Sequence, residues 1–279
     1  MLLMLLCNSK IYRNRRVFMF ADYHMHTSFS DDSIYPMEDE IKQAISLGIE
    51  EICFTEHVDH GIKEYPDSFY EDYYHEYKRM KTKYDGQIVM KFGAEFGMQT
   101  HTITQFQEDF NTHPFDFIIL SCHQVNDQEF WTQEFQKGKT QEEYNIAYYQ
   151  EILDVMKKYK DYCVLGHLDA IKRDDQVGIL PFEKTKDIIT EIFKQAIKDG
   201  KGIEVNTSNE RYGLDDLTPC RDILRLYREL GGEILTFGSD THKEEHVGYH
   251  IEQIKEELKA MGFTKFHTFD QMKPLAHKL

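Results

Sequence analysis

The sequence predicts a single α/β barrel of seven or eight strands, and three observations support this fold class. Apolar runs rich in β-branched and aromatic residues alternate with stretches of helical period, which is the pattern of repeated βα units. The candidate strands are apolar almost throughout, as in a parallel sheet that helices cover on both faces. No linker rich in proline, glycine or serine divides the 279 residues, a length that one barrel can fill.

Each predicted element is either an apolar run or the periodic stretch that follows it. The predicted strands, in chain order, are residues 17–26, 50–57, 87–96, 115–123, 162–169, 202–208 and 232–242. The predicted helices lie between them, at about 37–47, 68–84, 141–159, 182–199, 219–230 and 244–261. The first helix shows the expected end signals, because Pro36 precedes it, acidic residues fill its first turn and Gly48 ends it.

An open, doubly wound sheet is the structural alternative to a barrel. That fold binds nucleotides through a glycine-rich turn after its first strand. The sequence has neither this glycine signature nor a G-x-x-x-x-G-K-[ST] loop, so the usual nucleotide-binding interpretations are excluded.

The first 18 residues are interpreted as an extension of uncertain status, and residues 19–279 as the barrel. The extension has an apolar run followed by basic residues, which reverses the charge order of a signal peptide. The run is also too short to span a bilayer. Translation from Met19 would begin the chain just before the first strand motif, so the extension is left out of the fold prediction.

The net charge limits the classes of partner that we expect, and the cysteine content indicates the cellular compartment. The formal net charge is -16, from 33 basic and 49 acidic residues, and it would repel nucleic-acid phosphates and anionic lipid. We therefore expect a small-molecule substrate, with no nucleic-acid or membrane partner, and leave the oligomeric state open. Five widely spaced cysteines without a C-x-x-C motif favour reduced thiols in a cytoplasmic protein.

Two histidines one residue apart, in the stretch ADYHMHTS, are the first indication of a site. In an extended strand alternate side chains point to the same face, so His24 and His26 project together and could share a metal ion. Taken alone, such a pair is more often two surface histidines on an edge strand, so the metal-site interpretation depends on the rest of the chain.

The later strands end on the same kinds of side chain. In chain order these are His57, Glu95, His123, His167, Asp240 and His242. Barrel active sites form at the carboxyl ends of the strands, where distant residues meet. Glu95 is flanked by apolar residues, and a buried carboxylate must be paired or coordinated. Imidazole and carboxylate without thiolate suit zinc, manganese or iron, and this many groups predicts two or three divalent ions bridged by Glu95.

The order of these motifs resembles the PHP family, named for polymerase and histidinol phosphatase domains. The stretches that carry the resemblance, after Met19, are DYHMHTSFSDDS, FTEH, GAEFG, SCHQ, GHLD, NTSNERYG and GSDTH. Within the family they are most similar to the histidinol-phosphate phosphatases of histidine biosynthesis. The resemblance implies a distorted (β/α)7 barrel that holds a trinuclear metal centre.

The resemblance also implies which residues hold each ion. The first ion is expected on His24, His26, Glu95 and Asp240, the second on Glu95, His123 and His167, and the third on His57 and His242. A further ligand to the third ion is expected from the SDDS loop. Some relatives have a histidine where this chain has Asp32, but the neighbouring Asp31 stays open as the alternative.

The reaction implied by the resemblance is hydrolysis of L-histidinol phosphate to L-histidinol and phosphate by a hydroxide that bridges two ions. Adjacent cations lower the pKa of water, and guanidinium groups are expected to stabilise charge on the phosphate oxygens. The predicted catalytic residues are Arg173, Arg211 and His242. The predicted substrate-binding residues are Arg173, Asn206, Ser208 and Arg211.

The organic part of that substrate carries an ammonium group and an imidazole, which suit an acidic mouth. Glu56, Asp59 and Asp169 are the expected source of this negative charge.

Three other functions are weighed. A PHP-type phosphatase could act on another phosphoester such as phosphotyrosine. A metal-dependent amidohydrolase usually has a lysine at a middle strand end, where this chain has Glu95 and His123. A non-catalytic PHP module of a larger assembly often loses ligands that this chain keeps.

Overall fold

The computed structural model describes residues 19–66 and 68–279. The predicted extension at residues 1–18, which includes the first two residues of the predicted first strand, lies outside the described residues. The described part of the chain forms a nearly closed barrel of parallel strands wrapped by α-helices, so the predicted fold class is confirmed.

The barrel sheet is continuous and parallel. The strands, in chain order, are β1 (Ala21–Asp22), β2 (Glu51–Val58), β3 (Val89–Gly97), β4 (Phe117–Ser121), β5 (Gln124–Val125), β6 (Gln128–Glu129), β7 (Val164–Leu165), β8 (Gly202–Asn206), β9 (Leu235–Gly238), β10 (Lys265–Asp270) and β11 (Lys273–Lys278). In the described ranges, the order of the seven-stranded sheet is β1, β2, β3, β4, β7, β8 and β9. The Tyr23 N–H donates to the Phe237 carbonyl at 2.9 Å, which joins the first strand to the last and nearly closes the barrel.

Helices cover the outside of this sheet. They are α1 (Met37–Leu47), α2 (Phe69–Lys83), α3 (Ile103–Thr112), α4 (Gln141–Lys158), α5 (Lys186–Lys198), α6 (Arg221–Glu229) and α7 (Ile251–Ala260). As predicted, α1 begins after Pro36 and ends at Gly48, whose φ of 71° is the left-handed conformation that glycine adopts without strain. Among the described residues, none of the helices combines the length and the apolar character needed to cross a lipid bilayer.

Several segments differ from the prediction. Helix α3 lies where no helix is predicted, because its sequence ITQFQEDFNT fully buries only Phe106 and so has little apolar periodicity. The last predicted helix begins at Ile251 instead of residue 244, since His250 has a left-handed φ of 55°. The antiparallel pair of β10 and β11 is also absent from the prediction.

The β10–β11 pair packs at the amino ends of the barrel strands. The Phe269 N–H donates to the Tyr23 hydroxyl at 2.9 Å, and the Phe269 ring lies 5.0 Å from the ring of Phe117. Asp116, just before β4, accepts from the Gln271 N–H at 3.1 Å. This end of the barrel is therefore covered, and the opposite rim holds the candidate site.

Candidate metal centre

The predicted ligands come together at the carboxyl rim of the barrel. They end or follow β1 (His24, His26), β2 (His57), β3 (Glu95), β4 (His123), β7 (His167) and β9 (Asp240, His242). Register contributes directly, because His57 on β2 pairs with Glu95 on β3. The cluster forms the base of a cavity of about 520 Å³.

Glu95 lies at the centre of the cluster and is fully buried. Its Oε2 is 2.8 Å from the Nδ1 of His57 and 3.2 Å from the Nε2 of His24. Its Oε1 faces the other side, at 2.8 Å from the Nε2 of His167 and 3.3 Å from the Nε2 of His123. One carboxylate therefore contacts two separate groups of histidines, which is the geometry expected of a bridging ligand.

Asp240 approaches the same centre from β9. Its Oδ1 lies 3.7 Å from the Nε2 atoms of both His24 and His26. The residue has a φ of 54°, in the left-handed region where aspartate is tolerated better than most side chains. Such backbone strain is concentrated at functional sites.

Asp32 lies beside the last pair of predicted ligands. Its Oδ2 is 3.0 Å from the Nε2 of His242 and 3.4 Å from the Nε2 of His57. Asp31 points elsewhere and forms an ion pair with Lys63 at 2.6 Å. Of the two aspartates left open by the sequence, it is Asp32 that faces the third set of candidate ligands.

Hydrogen bonds outside the cluster orient its histidines. The Nδ1 of His24 donates to Glu204 at 2.5 Å, and the Nδ1 of His123 donates to Asp59 at 2.7 Å. The Nδ1 of His242 donates to the backbone carbonyl of Asp240 at 3.0 Å. In each case the Nε2 faces the other residues of the cluster, and histidines that bind metals are oriented in the same way by a hydrogen bond at the other ring nitrogen.

Glycine makes room for two of these contacts. A Cβ at Gly97 would overlap Asp59 and come within 2.6 Å of the Nδ1 of His123. A Cβ at Gly238 would overlap Glu204 and come within 2.5 Å of the Cβ of His24. Both histidine–carboxylate pairs therefore depend on a backbone that lacks a side chain at that point.

Some buried polar atoms of the cluster have no hydrogen-bond partner, and they indicate whether metal ions fit the site. The Nε2 atoms of His24 and His26 and the Oε2 of Glu95 are buried and form no hydrogen bond in the described residues. Such groups are costly unless something satisfies them. A divalent cation would do so, and imidazole and carboxylate donors suit zinc, manganese or iron.

The electrostatics keep several of these groups in the form that binds metals. Burial, together with the neighbouring His57 and His242, holds the pKa of His26 well below its usual range, so its imidazole is neutral. Burial alone would raise the pKa of Glu95, but His24, His123 and His57 lower it well below its usual range. The carboxylate is therefore ionised in spite of its burial.

The predicted substrate-binding residues fall into two groups. Arg173 lines the cavity, lies 4.0 Å from the ring centroid of Tyr212, and donates to Asp240 Oδ2 at 3.0 Å. Arg211 donates to the backbone carbonyls of Ser239 and Asp240, at 2.6 and 2.7 Å.

Asn206 and Ser208 are buried behind Asp240 and do not line the cavity. The Nδ2 of Asn206 donates to Asp240 Oδ2 at 3.2 Å, and the Ser208 hydroxyl donates to Asn206 Oδ1 at 2.6 Å. The structure thus places both residues where they orient an acid of the cluster.

The acids expected at the mouth are mostly elsewhere. Glu56 is buried and accepts hydrogen bonds from Thr27 and Ser30, while Asp169 is buried and pairs with Lys172 at 2.8 Å. The expectation was wrong for these two, because internal donors close to them in space were not evident from the sequence. Asp59 does line the cavity, although it also accepts from His123.

Glu204 is the residue that the sequence interpretation missed. It lies on β8, is 1% exposed, and accepts from both His24 and the backbone N–H of His167, the latter at 2.7 Å. The available signal was the same as for Glu95, a single carboxylate inside the apolar strand GIEVN.

Comparisons with known proteins agree with this geometry. A sequence model described as the PHP domain matches residues 22–208. The histidinol-phosphatase of Lactococcus lactis is 31% identical over 90% of this chain and 95% of its own, and a probable histidinol-phosphatase of Thermotoga maritima is 29% identical over 87% and 92%.

A solved structure extends the likeness to three dimensions. The crystal structure of histidinol phosphate phosphatase from Lactococcus lactis, complexed with zinc, L-histidinol and phosphate, superposes with a TM-score of 0.82 at 30% identity. The match covers 92% of this chain and 98% of that one. A structure from Listeria monocytogenes, at 18% identity and a TM-score of 0.63, shares the fold.

Proposed function

The chain belongs to the PHP domain family, and we propose that it is a metal-dependent histidinol-phosphatase, which hydrolyses L-histidinol phosphate to L-histidinol and phosphate. The observation that carries the proposal is the buried Glu95, whose two oxygens face two groups of histidines at the base of an open cavity. Relatives of this chain with the same fold are histidinol-phosphatases, which supports the choice of substrate.

The cluster would hold two to three divalent ions. The proposed ligand sets are His24, His26, Glu95 and Asp240 for the first, Glu95, His123 and His167 for the second, and Asp32, His57 and His242 for the third. Zinc, manganese and iron all suit these donors, and zinc is present in the Lactococcus lactis structure. When bound, such ions lower the pKa of water toward neutrality and stabilise the negative charge of a phosphoryl group.

Arg173 is the residue proposed to bind the phosphoryl oxygens. Its guanidinium lines the cavity, stacks on Tyr212 and is fixed by Asp240 and Ser208. The Nε of Arg173 is buried and has no hydrogen-bond partner among the described residues. A charged donor held in this way stabilises charge that increases in the transition state.

The other predicted residues have supporting roles in this proposal. Arg211 and Asn206 hold the backbone and the carboxylate of Asp240, and Ser208 links Asn206 to Arg173. His242 lies beside Asp32 on the cavity wall and would help to hold the third ion, which would supply positive charge to stabilise the leaving alkoxide.

The composition supports a cytoplasmic enzyme with a small-molecule substrate and no nucleic-acid or membrane partner. The net charge is -16, and the cysteines of the described residues, Cys53, Cys122, Cys163 and Cys220, are free thiols. Reduced cysteines are typical of the cytoplasm.

Comparison of kcat/KM for three substrates is the experiment that tests the proposed function. We expect the metal-loaded protein to hydrolyse L-histidinol phosphate with a kcat/KM about 10²-fold or more above that for p-nitrophenyl phosphate or phosphotyrosine. A preference for phosphotyrosine would favour the alternative phosphatase function. No phosphate release from any of the three would favour a non-catalytic module.

A further inference from the structure

The outer half of the cavity is built from a segment that follows β4. This segment contains β5 and β6 and the turn after them, and it brings Glu129, Phe130 and Trp131 to the cavity wall. The side chain of Gln133 connects this segment to the one after β7 by donating to the backbone carbonyl of Asp174 at 2.7 Å. Trp131 and Asp174 are therefore held on connected parts of the rim.

The charges of this outer half do not cancel. The two basic residues of the cavity are already paired, Lys63 with Asp31 at 2.6 Å and Arg173 with Asp240 at 3.0 Å. Glu129 and Asp174 also line the cavity, and neither forms an ion pair within the described ranges. Two carboxylates are thus available to a cation that enters from solvent.

The aromatic side chains add a second type of contact. Trp131 is 51% exposed although it lines the cavity, and such an exposed indole ring is a large apolar surface left without a partner. Indole is also the strongest of the aromatic side chains at binding cations. Burial raises the pKa of both Glu129 and Asp174, so an ammonium group beside either carboxylate would offset a desolvation cost.

We infer that Glu129, Trp131 and Asp174 determine substrate specificity by binding the ammonium and imidazole groups of L-histidinol phosphate while its phosphate lies on the metal cluster. This inference rests on the proposed function. The same cavity is lined by these three side chains and by the phosphate-binding groups, which are Arg173 and several of the candidate metal ligands. A phosphomonoester without a cationic group cannot pair with the two carboxylates.

Two substrates and four variants test the inference. The variants are E129Q, D174N, W131L and, as a matched control, E134Q, whose exposed carboxylate lies in the same segment but outside the cavity. We expect the first three to raise the KM for L-histidinol phosphate about tenfold each. The kcat/KM of E129Q and D174N for p-nitrophenyl phosphate, which has no cationic group, should stay within about twofold of wild type, as should both activities of E134Q.

The outcomes separate this inference from the proposed function. Equal losses of E129Q and D174N on both substrates, or no loss on either, would overturn the specificity role while leaving a histidinol-phosphatase in place. A wild-type protein without preference for L-histidinol phosphate would overturn the proposed function itself.

Fluorescence gives an independent reading, because Trp131 is the sole tryptophan of the chain. Titration of the metal-loaded protein with L-histidinol in the presence of phosphate should change its emission in a saturable way. The E129Q variant should need a higher concentration of L-histidinol for the same change. Emission that does not respond at concentrations that inhibit the enzyme would contradict the placement of Trp131.

Discussion

The inner and the outer parts of the candidate metal centre differ in how firmly the protein holds them. His24, His26 and Glu95 are fully buried, and the two histidines are oriented by Glu204 and Ser30. In the outer part the Asp32 side chain is 51% exposed. The difference suggests that the inner ligands are preorganised, whereas the outer set can adapt when substrate enters.

Loss of Glu95, the proposed bridging ligand, should have the largest effect on activity. We expect E95Q to lower kcat/KM for L-histidinol phosphate by about 10³-fold or more, because two ions would lose a shared anionic ligand. The amide keeps the shape of the side chain, so circular dichroism should show an unchanged fold. An E95Q protein with near wild-type activity would contradict a bridging role.

The next largest effect should distinguish Arg173 from Arg211. R173A is expected to lower kcat about 10²-fold, the typical cost of removing one charged donor to the transition state. R211A should have a smaller effect, since its guanidinium contacts the Ser239 and Asp240 carbonyls and does not line the cavity. Steady-state kinetics of the two variants would check the order, and equal losses would show that the cavity wall does not distinguish them.

The orienting carboxylate of the inner part gives a third comparison. E204Q keeps an acceptor for His24 but removes the negative charge, and changes to a group that orients a metal ligand cost about 10- to 100-fold in metal affinity or activity. We expect excess metal to restore part of the activity of E204Q. Activity that stays low at saturating metal would instead indicate a damaged fold.

Substitution of Asp32 and of Asp31 tests the outer part of the candidate metal centre. D32N should lower the metal content and reduce activity by about tenfold or more, because Asp32 faces both His57 and His242. D31N should change activity by only about threefold, since Asp31 is 59% exposed and its partner is Lys63, which is not a candidate metal ligand. The reverse order would assign Asp31 to the third ion.

The smallest expected effect is the dependence of the protein's thermal stability on pH. In the metal-free protein burial alone would lower the pKa of His123, but Asp59 and Glu95 raise it to about 9. A histidine with a raised pKa stabilises the fold fully below its unfolded value of about 6.5, and this contribution is lost as pH rises through 9.

The Tm of the chelated protein should therefore fall between pH 6.5 and pH 9. In the chelated H123N variant the fall should be weaker, because the titrating imidazole is gone. A calorimetric Tm of wild type that is flat over this range would contradict the charged pair of His123 with Asp59.

Sequence periodicity located most of the centre because of two local rules. Alternation along a strand put His24 and His26 on one face, and the common rim of a parallel barrel brought them to Glu95 and Asp240. Both rules depend only on position along the chain and on which end of the strand a residue occupies.

The remaining features depend on contacts between distant residues. Nothing within GIEVN shows that Glu204 meets His24, and nothing within GHLDAIK shows that Asp169 pairs with Lys172 while its neighbour Arg173 turns into the cavity. The choice of Asp32 over Asp31 depends on the path of one loop. Helix α3 was missed for the opposite reason, because its polar surface left too little apolar pattern to detect.

Metal analysis paired with activity tests the central claim most directly. Elemental analysis of the purified full-length protein should give two to three divalent ions per chain, phosphate release from L-histidinol phosphate should stop on chelation, and E95Q should retain fewer ions than wild type. A fully active protein with fewer than two ions per chain would contradict the bridged centre around Glu95.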